Sequence, residues 1–245
     1  MNEYCEESQS HHRTGSAWLV VLLLMPVALL NYLDRQMMAS MQQSVMESIP
    51  EFGQADNPKE MWGIMLGQFK WVYAAFSLMA GPIADRFGRK WTICASLFAW
   101  SAITFATGWV TSYRELLQVR SLMGVSEAFY IPAALALIAD YHSGTSRSKA
   151  VGMHQMAIYA GVICGGFGGY AATWYGWRNA FLSCGACGML YSIPLAICLR
   201  DTHQDTNKEL PVSNAVSTKD PWPSSLLRLD RKSTRLNSSH ANISY

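Results

Sequence analysis

Ala17 to Leu33 (AWLVVLLLMPVALLNYL) is an unbroken apolar run in which only Tyr32 carries an ionisable side chain. Comparable runs recur at Trp71–Ala84, Trp91–Val110, Leu122–Ala139, Ala150–Trp174 and Ala180–Leu199, the fourth interrupted by Glu127 and the fifth by His154. A helix rises about 1.5 Å per residue, so about 20 residues cross the roughly 30 Å hydrocarbon core of a bilayer. Six such segments joined by short connectors predict an all-α polytopic membrane protein, not one or two soluble domains. The first run lacks a basic leader and a small-residue cleavage site, and more spans follow it, so it reads as a span rather than a signal peptide.

The polar segments divide the rest. Residues 1–16 read as an amino-terminal tail, 17–199 as the bundle, and 200–229 as a polar linker without apolar periodicity. Asp230–His240 (DRKSTRLNSSH) resembles the conceptual translation of a common sequencing-library adapter, and the closing ANISY resembles its continuation. Residues 230–245 are therefore expected to be a non-native tail, which strips meaning from the Asn-x-Ser matches at Asn237 and Asn242. On that reading the natural chain is expected to have continued beyond the visible end.

Charge orients the bundle. Arg86, Arg89 and Lys90 follow the second span, and Arg147 and Lys149 follow the fourth; the alternate connectors carry Lys59, Arg114 and Arg178. The excess of basic residues places loops 2–3 and 4–5, and with them both termini, on the cytoplasmic side of a plasma (bacterial inner) membrane. A net charge of +2 is too small to suggest a nucleic-acid partner. Five of the six cysteines lie within spans; Cys184-x-x-Cys187 has redox or metal spacing but reads as buried small residues, and no metal or other cofactor is expected. HExxH, GxSxG and Walker patterns are missing, which argues against an enzyme and against ATP as a driving force.

Ionisable residues inside spans are costly and by default mark a substrate or ion pathway. Asp34 and Arg35 close the first run, and Gln36–Met46 contains no turn signal, so the helix is expected to carry both inside the membrane toward Pro50 and Gly53. Seventeen residues from Ala17 to Leu33 make only about 25 Å of helix, short of the hydrocarbon thickness. In the fourth span Arg120 and Glu127 are seven residues apart, on one helical face, with Gly124 between them. Lys70 sits within the second span or at its rim, where snorkelling to headgroups is the competing role. Arg35, Lys70 and Arg120 against Asp34 and Glu127 describe a cavity suited to a small anion. The Arg fork suits a carboxylate, and carboxylates in low dielectric hold protons more readily.

Between spans two and three stands GPIADRFGRK, Gly81 to Lys90. Gly88 permits the positive φ of a tight turn, and Gly81-Pro82 permits a close helix approach and a bend. The full string resembles the loop 2–3 signature of the major facilitator superfamily, matching at Gly81, Ile83, Ala84, Asp85, Arg86, Gly88, Arg89 and Lys90. The resemblance implies a twelve-helix fold of which 17–199 is the amino-terminal six-helix half, two inverted three-helix repeats facing a missing carboxy-terminal half. It also implies a gating role for Asp85, Arg86 and Arg89. RSLMGVSEAFYIPA (Arg120–Ala133) resembles the fourth-helix motif. In the fifth span, Gly161, Gly165 and Gly169 form a strict i, i+4 stripe read as helix packing. Gly165-Gly166 stands where the family's antiporters carry Gly-Pro, which tilts the reading away from drug/proton antiport.

NYLDR in the first helix, with Arg and then Glu in the fourth, resembles the anion:cation symporter branch, which includes importers of sugar acids and hexuronates. By that resemblance Asp34 and Glu127 are proton-coupling acids, Arg35 is the carboxylate ligand and Arg120 tunes Glu127. Tyr73 and Gln155 are weaker substrate contacts, and His154 is a helix–helix hydrogen-bonding residue before it is a ligand. The expected partners are a small anion, a co-transported proton or sodium ion, and the bilayer. Spinster-like carriers of lipids or amphipathic solutes share a similar first-helix pattern and form the rival reading. A non-transporting receptor on the same fold would have no reason to retain the buried charges.

Overall fold

The computed structural model describes residues 2–199, so the linker and tail expected over 200–245 lie outside the described residues. Eleven helices and no strand occur among the described residues: α1 (Asn2–Ser40), α2 (Gln42–Ser48), α3 (Pro50–Gln54), α4 (Pro58–Ser77), α5 (Ala80–Phe87), α6 (Arg89–Thr107), α7 (Tyr113–Ala128), α8 (Tyr130–Tyr141), α9 (Gly144–Gly166), α10 (Gly168–Tyr175) and α11 (Trp177–Cys198). Apart from the short α2 and α3 they form six rods, because α4–α5, α7–α8 and α9–α10 are helices interrupted by a turn of one or two residues. Proline explains two of the interruptions. Pro82 and Pro132 cannot donate to the carbonyls of Leu78 and Ala128, and the helices break at 78–79 and at Phe129. Each proline then sits in the first turn of the next helix, where amides lack intrahelical partners anyway.

Four stretches are long and apolar enough to cross a membrane: Ala17–Ser40, Tyr113–Tyr141, Gly144–Tyr175 and Trp177–Cys198. The second and third of the six expected spans are not among them. Gly63, Gly67, Gln68 and Lys70 dilute α4, and Arg89, Lys90 and five Ser or Thr residues dilute α6. Both helices are nevertheless full members of the bundle, α4 against α7 and α6 against α11.

The rods touch where side chains are smallest. A Cβ on Gly161 would collide with the Leu29 carbonyl, and one on Gly165 would stand 2.6 Å from the Leu33 carbonyl, so α9 lies directly on the α1 backbone. The third contact is Gly168, not Gly169 as expected from the i, i+4 stripe. A 3.6-residue helix returns to one face at i+7 rather than i+8, which leaves a Cβ on Gly168 2.6 Å from Ser40 Oγ and one on Gly169 at 3.3 Å from the Ser40 carbonyl. Gly81 does not serve the expected close approach within the described residues, since nothing comes within 4 Å of a Cβ built there. Gly88 (φ 87°, ψ 142°) joins α5 to α6, and Gly176 (φ 80°, ψ 140°) joins α10 to α11 with the same backbone. These equivalent turns at corresponding points of residues 2–107 and 113–198 are the local mark of an internal repeat.

Two apolar cores result. One gathers Val20–Ala28 of α1 with Trp100, Tyr130 and Leu137; the other gathers Met37–Met41 with Phe52, Met65 and Phe181. On α1 they are separated by the stretch that holds Asn31, Asp34 and Arg35.

Candidate functional site

α1 continues to Ser40, so Asp34 and Arg35 stand inside a helix as expected, and turns at Met41 and Ile49 break it into α2 and α3 before Gly53. The carbonyl ladder carries across the first break, with Met41 N donating to Met37 O and Val45 N to Met41 O. α7 supplies Arg120 and Glu127 from the facing rod. Asp34 is 1 % exposed, Arg120 3 % and Glu127 0 %, while the Arg35 side chain keeps 24 % of its surface.

The pairing is crossed. Arg120 Nη1 donates to Asp34 Oδ2 at 3.3 Å, and Arg35 Nε donates to Glu127 Oε2 at 2.6 Å. The arginine bonded to Glu127 is therefore Arg35; Arg120, expected from its place on the same helix face to tune Glu127, bonds Asp34 instead. The side-chain directions explain it. Long helical side chains lean toward their own N-terminus, so on antiparallel rods Arg35 and Arg120 each reach past the nearest level. Each carboxylate spends one oxygen on its arginine. Asp34 Oδ1, Glu127 Oε1, Arg35 Nη2, and Arg120 Nε and Nη2 are buried without a hydrogen-bond partner. The two buried pairs balance in charge, two cations against two anions. Buried ion pairs in low dielectric are weak contributors to stability, so a layer of two with unused donors and acceptors is a feature that binding or proton exchange, rather than folding, accounts for.

Around this layer the other expected residues sort themselves. Tyr73 is half-buried with its ring 4.6 Å from the Arg35 guanidinium carbon, inside the site. Lys70 is exposed on α4 and adds no buried charge to the layer. Gln155 is exposed and lines an open groove of about 480 Å³ with Arg147, Ser148, Val151 and Gly152 of its own helix, apart from the ion pairs. His154 is buried, its Nε2 2.9 Å from Tyr130 Oη, which also lies 3.1 Å from the Leu24 carbonyl oxygen. It fastens α9, α8 and α1 together, the helix–helix role expected of it. Cys184 and Cys187 are free thiols, and no group of three or more metal-ligating His, Cys, Asp or Glu occurs among the described residues.

A second cluster occupies the loop between α5 and α6. Arg89 forms an ion pair with Asp140 of α8, donates to the Ala136 carbonyl at 2.9 Å, and lies 4.0 Å from Asp85. The Asp85 side chain is 73 % exposed and Arg86 is exposed, so both remain presented outward from this half. Lys90 Nζ lies 5.3 Å from the Trp91 ring centroid.

Three residues of these sites escaped the sequence reading. Asp140 could have been found as the acid at the end of the fourth span, level with the basic loop. Asn31, fully buried with neither amide atom partnered, lies one turn before Asp34 in the quoted NYLDR string. Phe69 carried no signal, because an aromatic in an apolar helix is ordinary.

The profile of the Major Facilitator Superfamily matches residues 24–234. "Probable galactarate/D-glucarate transporter GudP" of Bacillus subtilis is 27% identical over 198 residues, covering 78% of this chain and 42% of that protein. The "Hexuronate transporter" of the same organism is 23% identical over 197 residues, covering 80% of this chain and 45% of that protein. The chain thus spans less than half the length of these relatives. Among solved structures, a bacterial homologue of the human lysosomal transporter Spinster, inward-facing and unoccupied, superposes with a TM-score of 0.66 at 23% identity, over 87% of this chain and 47% of that one.

Proposed function

This chain belongs to the major facilitator superfamily and is a multi-pass membrane protein; from that premise we propose that it serves secondary active transport of a small organic anion, such as a sugar acid or hexuronate, in symport with a proton. The observation that carries the reading is the crossed pair of buried ion pairs with Arg35 alone partly exposed. Arg35 has an uncommitted Nη2 with which to meet a carboxylate, and a planar guanidinium matches a carboxylate bidentately. When substrate draws Arg35 away, Glu127 loses its counter-charge, and a buried carboxylate without one favours its protonated form. Anion docking and proton loading are thereby linked through one residue. Asp34, held by Arg120, is the second coupling acid.

The cycle proceeds by alternating access against a second six-helix half. Asp85, Arg86 and Arg89 form the latch, on the cytoplasmic face of a bacterial inner membrane with both termini inside. Exposed Asp85 and Arg86 support that role, being free to meet a partner segment. The spinster-like reading draws on the shared fold. A lipid or amphipathic solute gives the fixed cation–anion layer less to do, whereas a hydrophilic anion uses it fully.

The test is uptake of labelled D-glucarate or D-glucuronate by the full natural chain in proteoliposomes. Asp34→Asn is expected to abolish uptake driven by a pH gradient while counterflow exchange of the same anion persists. Gradient-driven uptake at the unsubstituted rate would overturn the role of Asp34, and uptake that follows a sodium gradient at fixed pH would replace the proton.

A further inference from the structure

Arg35 is enclosed by aromatic rings. Its guanidinium carbon lies 4.6 Å from the centroid of Tyr73, 5.1 Å from Phe69 and 5.2 Å from Tyr32. Tyr32 precedes it on α1. Phe69 and Tyr73 come from α4, one turn apart, with ring centroids 6.2 Å from each other. They reach across because α7 offers Gly124 at that level: a Cβ there would stand 2.8 Å from the Phe69 carbonyl and 3.2 Å from the Tyr73 nitrogen. Gln68 Nε2, donating to Ser121 Oγ at 2.6 Å, fastens the same two helices beside the contact.

We infer that Phe69 is a positioning residue for the transported anion, setting the plane of the Arg35 guanidinium so that its free Nη edge faces the carboxylate. The inference rests on the reading of Arg35 as the anion's ligand. Phe69 is 9 % exposed and carries no polar atom, so it acts on the substrate only through Arg35. A bidentate carboxylate must approach in the guanidinium plane, and an arginine with several free rotors meets that demand in only a fraction of its conformers. Glu127 holds Nε until the substrate docks, and the rings fix the plane throughout. A cation over an aromatic face keeps this orientation at little cost when the site is partly desolvated. Gly124 is the second element of the device, since any side chain there moves α4 and both of its rings away.

The experiment uses the full natural chain in proteoliposomes with D-glucarate as the probe, for uptake and for equilibrium binding. Phe69→Leu is expected to raise KM and Kd about fivefold to tenfold, the scale of one cation–π contact, with Vmax held within about twofold. Phe69→Tyr, which retains the ring, is expected to restore KM. Phe69→Met, equally ringless but unbranched and more adaptable in packing, replaces Phe69→Leu if that variant is not monodisperse. In an Arg35→Lys background, where no plane exists to be set, Phe69→Leu is expected to add nothing further. Unchanged KM in both ringless variants, failure of Phe69→Tyr to restore it, or full additivity with Arg35→Lys would each overturn the inference. D-glucarate binding that survives Arg35→Ala would overturn the underlying reading as well. Loss of binding in Arg35→Ala beside indifferent Phe69 variants would sink the inference alone.

Discussion

The molecule holds two ionic clusters made of the same chemistry in opposite surroundings. Between α1 and α7, Asp34–Arg120 at 3.3 Å and Arg35–Glu127 at 2.6 Å are buried apart from the partly exposed Arg35, yet leave five side-chain atoms without partners. At the α5–α6 turn, Arg89 gathers Asp140, the Ala136 carbonyl and, more loosely, Asp85, with both acids partly exposed. The second cluster uses its donors locally and can be rearranged in water at little cost. The first is committed to a low dielectric, where each charge depends on its partner. Burial, not the identity of the residues, decides how far each charge depends on its partner.

The largest expected effect follows from that dependence. Arg120→Met removes the arginine bonded to Asp34 and leaves that buried carboxylate without its counter-charge. Loss of one partner of a buried pair costs roughly 3–5 kcal/mol. A thermal melt of the purified protein in detergent is expected to drop sharply for Arg120→Met. It should recover most of the loss in Arg120→Met with Asp34→Asn, because removing both charges abolishes the mismatch. An unsubstituted melting temperature for Arg120→Met would show that the pair is not buried as a unit, and the contrast between the clusters would fail.

How much of this could be read beforehand depends on what each feature requires. The six rods and the Gly81–Lys90 loop follow from local pattern, since runs of apolar residues and a Gly at positive φ state their own structure. The continuation of α1 through Asp34 to Ser40 was legible because Gln36–Ser40 holds no turn signal, whereas the turn at Met41 carried none either and was missed. The crossed pairing was not, because it depends on the register of α1 against α7, and spacing on one helix says nothing about the other. The stripe of glycines shows the same limit at finer grain. It held through Gly161 and Gly165 and passed to Gly168, because a helix of 3.6 residues per turn returns to one face at i+7 and a strict i, i+4 count drifts off it. The site's aromatic wall depends on Gly124, whose meaning as a gap appears only when the α4 backbone is seen to fill it.

Asn31 sharpens the comparison from the other side. It lies in the buried layer without a charge and without a hydrogen bond at either amide atom. An unsatisfied buried polar group costs about 1–3 kcal/mol, while an apolar replacement of similar shape is neutral or stabilising. Asn31→Leu is therefore expected to raise the melting temperature, by an amount smaller than the loss in Arg120→Met and of opposite sign. Gradient-driven uptake is expected to fall in the same variant, since a polar group kept at the expense of stability next to Asp34 serves the working site. A lowered melting temperature would mean that Asn31 is satisfied within the fold and belongs to the structural residues.

The smallest effect belongs to the exposed cluster. A double-mutant cycle on Arg89→Ala and Asp140→Ala is expected to give a coupling of about 1 kcal/mol or less. Solvent reaches the pair chiefly through Asp140, 29 % exposed against 17 % for Arg89, so that coupling should shrink further as salt is raised from low to physiological strength, where the screening length is about 8 Å. The Asp34–Arg120 pair, shielded from ions by the bundle, should show little such dependence. Measured side by side, the salt response separates the clusters more cleanly than the magnitudes do. A pair tied to the fold keeps its coupling as the solvent changes, while a latch that must open on each cycle has to sit close to balance in water. A coupling at Arg89–Asp140 that matched the buried pair and ignored salt would leave this loop too rigid to act as a gate.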